Sequence, residues 1–209
     1  MLITQRLIYI TLEIIEERYA YILNMRKVIA AINMTLDGIC DHTVGIPDED
    51  LHKHYTELLD NAGVLLYGRT TYQLMQFWQT LLKNPSDQNS MNVFALAIDK
   101  IPKIVFSQTL KNTEWKSAKL ATKEIEKEVI ELKQQSESDK DILVGSRSLI
   151  IQLMNLNLID EFQICIYPML EGKGLLLFDK IKDRTIFKLL KTKIFDSGAI
   201  VLYYKPTRQ

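Results

Sequence analysis

Apolar and polar positions along this chain follow two periods, and the switches between them mark its elements. Lys27-Val28-Ile29-Ala30-Ala31-Ile32-Asn33 is a nearly unbroken apolar run. Such a run predicts a strand buried on both faces, as in the centre of a parallel or mixed sheet. Gly63-Val64-Leu65-Leu66-Tyr67, Ile101 to Leu110, Asp141 to Val144 and Phe162 to Tyr167 predict further strands, with Trp115 in a short one. Between them the period lengthens to that of a helix. Leu51, Tyr55, Leu58, Leu59 and Ala62 fall on one helical face. So do Tyr72, Met75, Gln79 and Leu82, then Ile125, Val129 and Leu132, then Leu149, Ile150, Leu153 and Met154. Met91 to Ala97 predicts a short helix inside the loop 83–99. The chain ends differently: Phe187 to Phe195 and Ala199 to Tyr204 flank Asp196-Ser197-Gly198 as a hairpin. The pattern predicts an α/β fold, with a mixed, mostly parallel central sheet, helices on both faces and a C-terminal antiparallel hairpin.

Residues 1–24 stand apart. They are apolar, but Glu13, Glu16, Glu17 and Arg18 interrupt any membrane-spanning run, and no small-residue cleavage site follows an apolar core. They are expected to form a helical extension, poorly docked, or to be translated from an early start codon. Residues 25–209 are expected to form one domain. The 209 residues are 47% hydrophobic and 25% charged, enough for a real core, and the formal net charge of +0 gives no electrostatic case for nucleic acid or an anionic membrane. Cys40 and Cys165 form no Cys-x-x-Cys pair and fit a reducing cytoplasm. His42, His52 and His54 are expected at the surface, and no metal site is expected.

Two strand–helix switches pass through glycine: Val144-Gly145-Ser146-Arg147-Ser148-Leu149 and Tyr67-Gly68-Arg69-Thr70-Thr71-Tyr72. The first N–H groups of a helix lack internal partners and its dipole favours negative charge, so such a junction is a ready anion site. Ser146, Ser148 and Thr70 add hydroxyls, and Arg69 adds a fork suited to phosphate. Each junction alone also reads as an ordinary tight turn. Asp37-Gly38 reads as a strand-end turn. Pro47-Asp48-Glu49-Asp50 opens a helix, and capping explains its carboxylates. The alternative is that one of them is a buried acid whose desolvated carboxyl donates a proton. The Lys/Glu side of Glu124 to Gln135 reads as a solvated face, not a binding patch.

From Gly145 onward the chain shows Gly145-Ser146-x-x-Leu149, Ile159-Asp160-Glu161, Pro168, Gly172-x-Gly174 and Leu177-Phe178. In this order and spacing it resembles the dihydrofolate-reductase-like family, in the subgroup of the C-terminal reductase domain of bacterial riboflavin biosynthesis. The resemblance runs from about Arg26 to Lys205. Dihydrofolate reductases proper carry a run of glycines where this chain has Val144-Gly145-Ser146, and no deaminase half with a zinc motif is present. The resemblance implies a cytoplasmic NADPH-dependent reductase, a homodimer, acting on a pterin, pyrimidine or related small heterocycle. Its substrate would be like that of 5-amino-6-(5-phosphoribosylamino)uracil reductase or dihydrofolate reductase.

Residue by residue, the resemblance places the Ala31 backbone at the nicotinamide, and Gly68, Arg69, Thr70 and Ser107 at the adenosine 2′-phosphate end. It places Gly145, Ser146, Arg147 and Leu149 at the pyrophosphate. Asp37 and Asp50 become candidate catalytic acids, and Trp78, Glu171 and Gly172 candidate substrate contacts. Other readings stay open: a reductase of a xenobiotic or modified pterin, a nucleotide-binding sensor without turnover, or an interaction protein that docks through residues 1–24.

Overall fold

The computed structural model describes residues 25–41, 45, 47–135 and 139–207. The helix expected over 1–24, and His42, lie outside them. The strands are β1 (Val28–Thr35), β2 (Ala62–Gly68), β3 (Lys103–Phe106), β4 (Ala118–Leu120), β5 (Asp141–Val144), β6 (Glu161–Tyr167), β7 (Ile186–Ile194) and β8 (Ile200–Thr207). They form one 8-stranded sheet in the order β4-β3-β2-β5-β1-β6-β8-β7. From β4 to β6 all neighbours are parallel. β8 runs antiparallel to β6 and β7 antiparallel to β8. This is the dihydrofolate-reductase-like mixed sheet that the sequence implied.

The helices are α1 (Glu49–Asp60), α2 (Arg69–Met75), α3 (Phe77–Lys83), α4 (Asn89–Lys100), α5 (Ile125–Gln134) and α6 (Arg147–Asn155). Side chains on a strand alternate between faces, so β1 sends Val28 and Ala30 to one core and Ile29 and Ala31 to the other. The first core also takes Val129 and Leu132 of α5 and Leu149, Ile150 and Leu153 of α6. The second takes Leu59 of α1, Tyr72 of α2 and Ile98 of α4. That division follows from chain direction. The chain first steps from β1 through β2 and β3 to β4, returns through α5 to β5, then steps the opposite way to β6. Right-handed crossovers in opposite directions must cover opposite faces. The reversal falls between the adjacent strands β5 and β1, the place where open α/β sheets bind ligands beyond their strand ends.

Several expectations need correction. The helix read across Tyr72 to Leu82 is two, meeting at Gln76. Its halves bury against different partners: the Tyr72 hydroxyl accepts the N–H groups of Glu114 and Trp115, while the Trp78 ring lies 4.5 Å from that of Phe94. β3 ends at Phe106, because Ser107 Oγ accepts the amides of Thr109 and Leu110 and closes a turn. Trp115 lies in the turn before β4, buried, with Nε1 donating to Asp99 Oδ1 at 2.5 Å. His52 and His54 are buried, not at the surface. α1 is wedged between other elements, so His52 meets Trp78 and Phe94, and His54 meets Phe195 and Tyr203 beside the β7–β8 hairpin.

Candidate functional site

The C-terminal ends of β2 and β3 open on a cleft of about 840 Å³. Its wall runs from the β2–α2 junction (Gly68, Arg69, Thr70) past the turn after β3 (Ser107, Thr109) to Ser148 and Leu149 of α6. The two glycine junctions face each other here because β2 and β5 are sheet neighbours. A Cβ on Gly68 would stand 3.2 Å from Ser148 Oγ and 3.8 Å from Ser146 Oγ. That contact is tight enough that any side chain would crowd the space between the two helix starts. Gly145 sits at the chain reversal, its missing Cβ 3.7 Å from the Ala31 carbonyl oxygen. Ala31 itself is buried in β1.

The cradle is cross-tied. Ser146 is buried, and its Oγ accepts the Gly68 N–H at 2.9 Å. Arg69 Nη1 donates to Thr109 Oγ1 at 2.8 Å, so the β2 and β3 ends hold one guanidinium across the cleft. Lys123, Glu124 and Lys127, at the start of α5, complete the opposite rim. The sequence reading assigned that charged stretch to solvent alone. Its apolar stripe of Ile125, Val129 and Leu132 is buried as expected, but the helix begins at the cleft and brings its first lysines there.

Two residues of the expected pyrophosphate group do something else. Ser146 is spent on the tie to Gly68, and the exposed hydroxyl at the cleft is that of Ser148. Arg147 Nε donates to the Leu176 carbonyl at 2.7 Å, and its guanidinium pairs with Asp179. The loop after β6 supplies these partners, so the arginine braces that loop and not the cleft.

The same loop is sewn to the end of β1. Leu36 N–H donates to the Met169 carbonyl at 3.0 Å, Cys40 N–H to Leu175 at 2.8 Å, and Leu177 N–H to Gly38 at 3.0 Å. Asp37 is the clasp. Its carboxylate accepts the Thr35 hydroxyl, the Gly172 amide at 2.7 Å and the Glu171 amide at 3.2 Å. The structure thus brings Asp37, Glu171 and Gly172 together. The Thr35 hydroxyl first, then the amides, hold the Asp37 carboxyl below its usual value. A carboxylate so stabilised favours its ionised form.

Asp50 is exposed, where a buried carboxyl was expected. It lies on the solvent side of α1, 3.2 Å from Lys53 Nζ, beside a separate cleft of about 260 Å³ against Lys193 to Asp196. The helix cap is Asp48, whose Oδ1 accepts the Leu51 N–H at 2.7 Å. Trp78 joins His52, Phe77 and Phe94 in an aromatic cluster under α1. Among the described residues no His/Cys/Asp/Glu group is placed to hold a metal ion. No helix among them is long and apolar enough to cross a membrane.

Sequence reasoning missed a polar patch between α1 and the sheet. The Tyr55 hydroxyl donates to Asn33 Oδ1, with Cys165 alongside. Burial raises the Tyr55 phenol well above its usual value and pushes the Cys165 thiol to about 12. The available signal was Asn33, a polar residue closing an apolar strand.

Known proteins match most of this chain. Residues 26–201 match the RibD C-terminal domain. An uncharacterized Bacillus subtilis protein, YyaP, is 33% identical over 188 residues, 87% of this chain and 96% of its own. The fold is shared with a deaminase/5-amino-6-(5-phosphoribosylamino)uracil reductase from Thermotoga maritima, at TM-score 0.59 and 16% identity. The match covers 88% of this chain and 57% of that one. It is shared also with dihydrofolate reductase from Enterococcus faecalis, solved with NADP(H), at TM-score 0.55 and 12% identity over 87% and 97% of the two chains.

Proposed function

The chain belongs to the RibD C-terminal domain family, an oxidoreductase family, and we propose from that membership that it is an NADPH-dependent reductase of a pterin, pyrimidine or related small heterocycle. The observation that carries this reading is the paired cradle. Gly68 and Ser148 face each other at the starts of the helices that follow the neighbouring strands β2 and β5, in a cleft rimmed by Arg69 and Lys127. Those groups fit a dinucleotide phosphate: open amides for a pyrophosphate, and cations beside hydroxyls for a 2′-phosphate.

In this reading Arg69, Thr70, Ser107 and Lys127 hold the adenosine end, and the start of α6 with Ser148 holds the pyrophosphate. Gly145 and the Ala31 backbone receive the nicotinamide. Bound there, NADPH supplies a hydride. The protein's part is position: the Ser146–Gly68 tie fixes the distance between the two anion sites, and the Asp37 clasp fixes the loops beside β1. A homodimer belongs to the same reading, with exposed Leu36, Leu170 and Leu175 available for a second copy to cover.

One observation favours a second reading, a cofactor-binding sensor without turnover. Neither Asp37 nor Asp50 stands as a buried acid. Turnover decides. Loss of NADPH absorbance with a pterin or aminouracil substrate supports the reductase. Tight NADPH binding with no consumption across that panel supports the sensor.

A further inference from the structure

One face of the β7–β8 hairpin continues the first core and is left open. Ile200, Leu202 and Tyr204 of β8 are in register with Ile166, Ile164 and Phe162 of β6. Ile194, Thr192 and Leu189 of β7 are in register with the same three residues of β8. Residues opposite each other share a face, so these side chains lie on the side where Phe162 and Ile164 join the first core. Over β1 and β6 that side is packed by α5 and α6. Further out, Leu189 is 48% and Ile194 72% exposed, and Phe178 borders them at 40%. The other side of the hairpin is closed, with Lys191 over the Tyr203 ring and Lys193 over that of Phe195.

A long edge strand with an uncovered apolar face invites association, and native proteins cover such edges with a helix or loop. Residues 1–24 are positioned to do so. The Arg26 N–H donates to the carbonyl of Lys133, on α5, at 3.3 Å. The chain therefore enters β1 from the side of the sheet that carries the open face. β7 lies three strands from β1, about 14 Å away. The stretch from Tyr19 to Arg26 reaches up to about 23 Å when extended. At helical spacing Ile8, Leu12, Ile15 and Tyr19 fall on one side, with Glu13 and Glu17 on the other. A helix rises about 16 Å from Ile8 to Tyr19. Leu189 to Ile194 runs for about 16 Å of strand.

We propose that residues 1–24 pack on the open face of the β7–β8 hairpin of their own chain, setting Ile8, Leu12, Ile15 and Tyr19 against Leu189, Ile194 and Leu202. The tether favours this occupant over a second copy. A segment joined to β1 by so short a stretch is held at an effective concentration on the order of millimolar. The extension then shields the edge of the sheet. The hairpin is at the opposite edge of the sheet from β3 and the cleft, so the inference does not depend on the reductase reading.

The test places the photo-crosslinker p-benzoylphenylalanine at Ile194 of the full chain. Illumination is expected to give a product of monomer mass on a denaturing gel, with links that mass spectrometry maps to residues 1–24. The same crosslinker at Val93, an exposed apolar residue of α4 on the opposite side of the sheet, is expected to give no such link. Leu12→Asp combined with Ile15→Asp is expected to lower the Ile194 yield about tenfold or more, since a carboxylate set against an apolar face has no partner there. A product of dimer mass from Ile194 overturns the proposal and gives the face to a second copy. Links confined to other segments, or no link at all, overturn it too. So does a yield that is equal from Ile194 and Val93, or one that the two aspartates leave unchanged.

Discussion

Ser146 and Gly68, 78 positions apart, are joined by one hydrogen bond of 2.9 Å from the Gly68 N–H to the serine hydroxyl. The bond links the turn after β5 to the turn after β2 and is buried. Ser146→Ala strands that N–H, at a cost of roughly 1–3 kcal/mol. It also frees the two helix starts to drift. Urea unfolding should show the loss of stability, and NADPH affinity should fall with it. Unchanged affinity in a destabilised variant would separate the tie from the cofactor site.

Arg69 and Lys127 are expected to act on the 2′-phosphate. Arg69→Ala should weaken NADPH by about tenfold or more and leave NADH nearly unchanged, since one charge-assisted contact is worth that much. Lys127→Ala should do the same to a smaller degree, its side chain being free to move at the rim. Equal losses for both nucleotides would remove these residues from the 2′-phosphate.

The Asp37 clasp carries a pH dependence of known sign. Its carboxyl lies below the usual 3.8, so the folded state favours the ionised form. The clasp is complete above 3.8 and is lost as pH falls through the lower folded value. The Gly172 amide resonance should therefore move with a midpoint below 3.8 and be insensitive to pH near neutrality. Asp37→Asn should remove that titration and increase hydrogen exchange at Gly172.

His54 gives a second dependence. Burial, and then the nearby Lys193 and Lys191, push its imidazole down to about 4 from 6.5. The unfolded chain thus binds the proton more readily, and stability falls as pH drops from 6.5 towards about 4. The slope from this one group is at most about 1.4 kcal/mol per pH unit. Urea unfolding at neutral and mildly acidic pH should show the loss. His54→Leu should flatten the profile, leaving the smaller share of His52, which burial shifts in the same direction.

Much of this was legible in the sequence because it is local. A continuous apolar run, a glycine and a helical stripe specify strand, turn and helix within a few residues, so both junctions and the sheet core were placed from pattern. What escaped was set by partners distant along the chain. Arg147 has the residue type of a phosphate ligand, but Asp179, supplied by another loop, holds its guanidinium. His52 and His54 read as surface residues because α1 is polar in composition, yet packing on both its flanks buries them. Lys127 lies on a helix whose period marks only its buried stripe, and nothing local says that its first turn borders the cleft. Asp37 was found, but the amides of Glu171 and Gly172 that bind its carboxylate come from the loop after β6 and leave no local signal.

The most direct measurement is a fluorescence titration of the purified protein with NADPH and, separately, with NADH. The account predicts saturable binding of both, with NADPH preferred by about tenfold or more, as two helix starts and the Arg69–Lys127 rim require. Absence of NADPH binding by folded protein would contradict it, because the paired Gly68 and Ser148 cradle would then hold no dinucleotide.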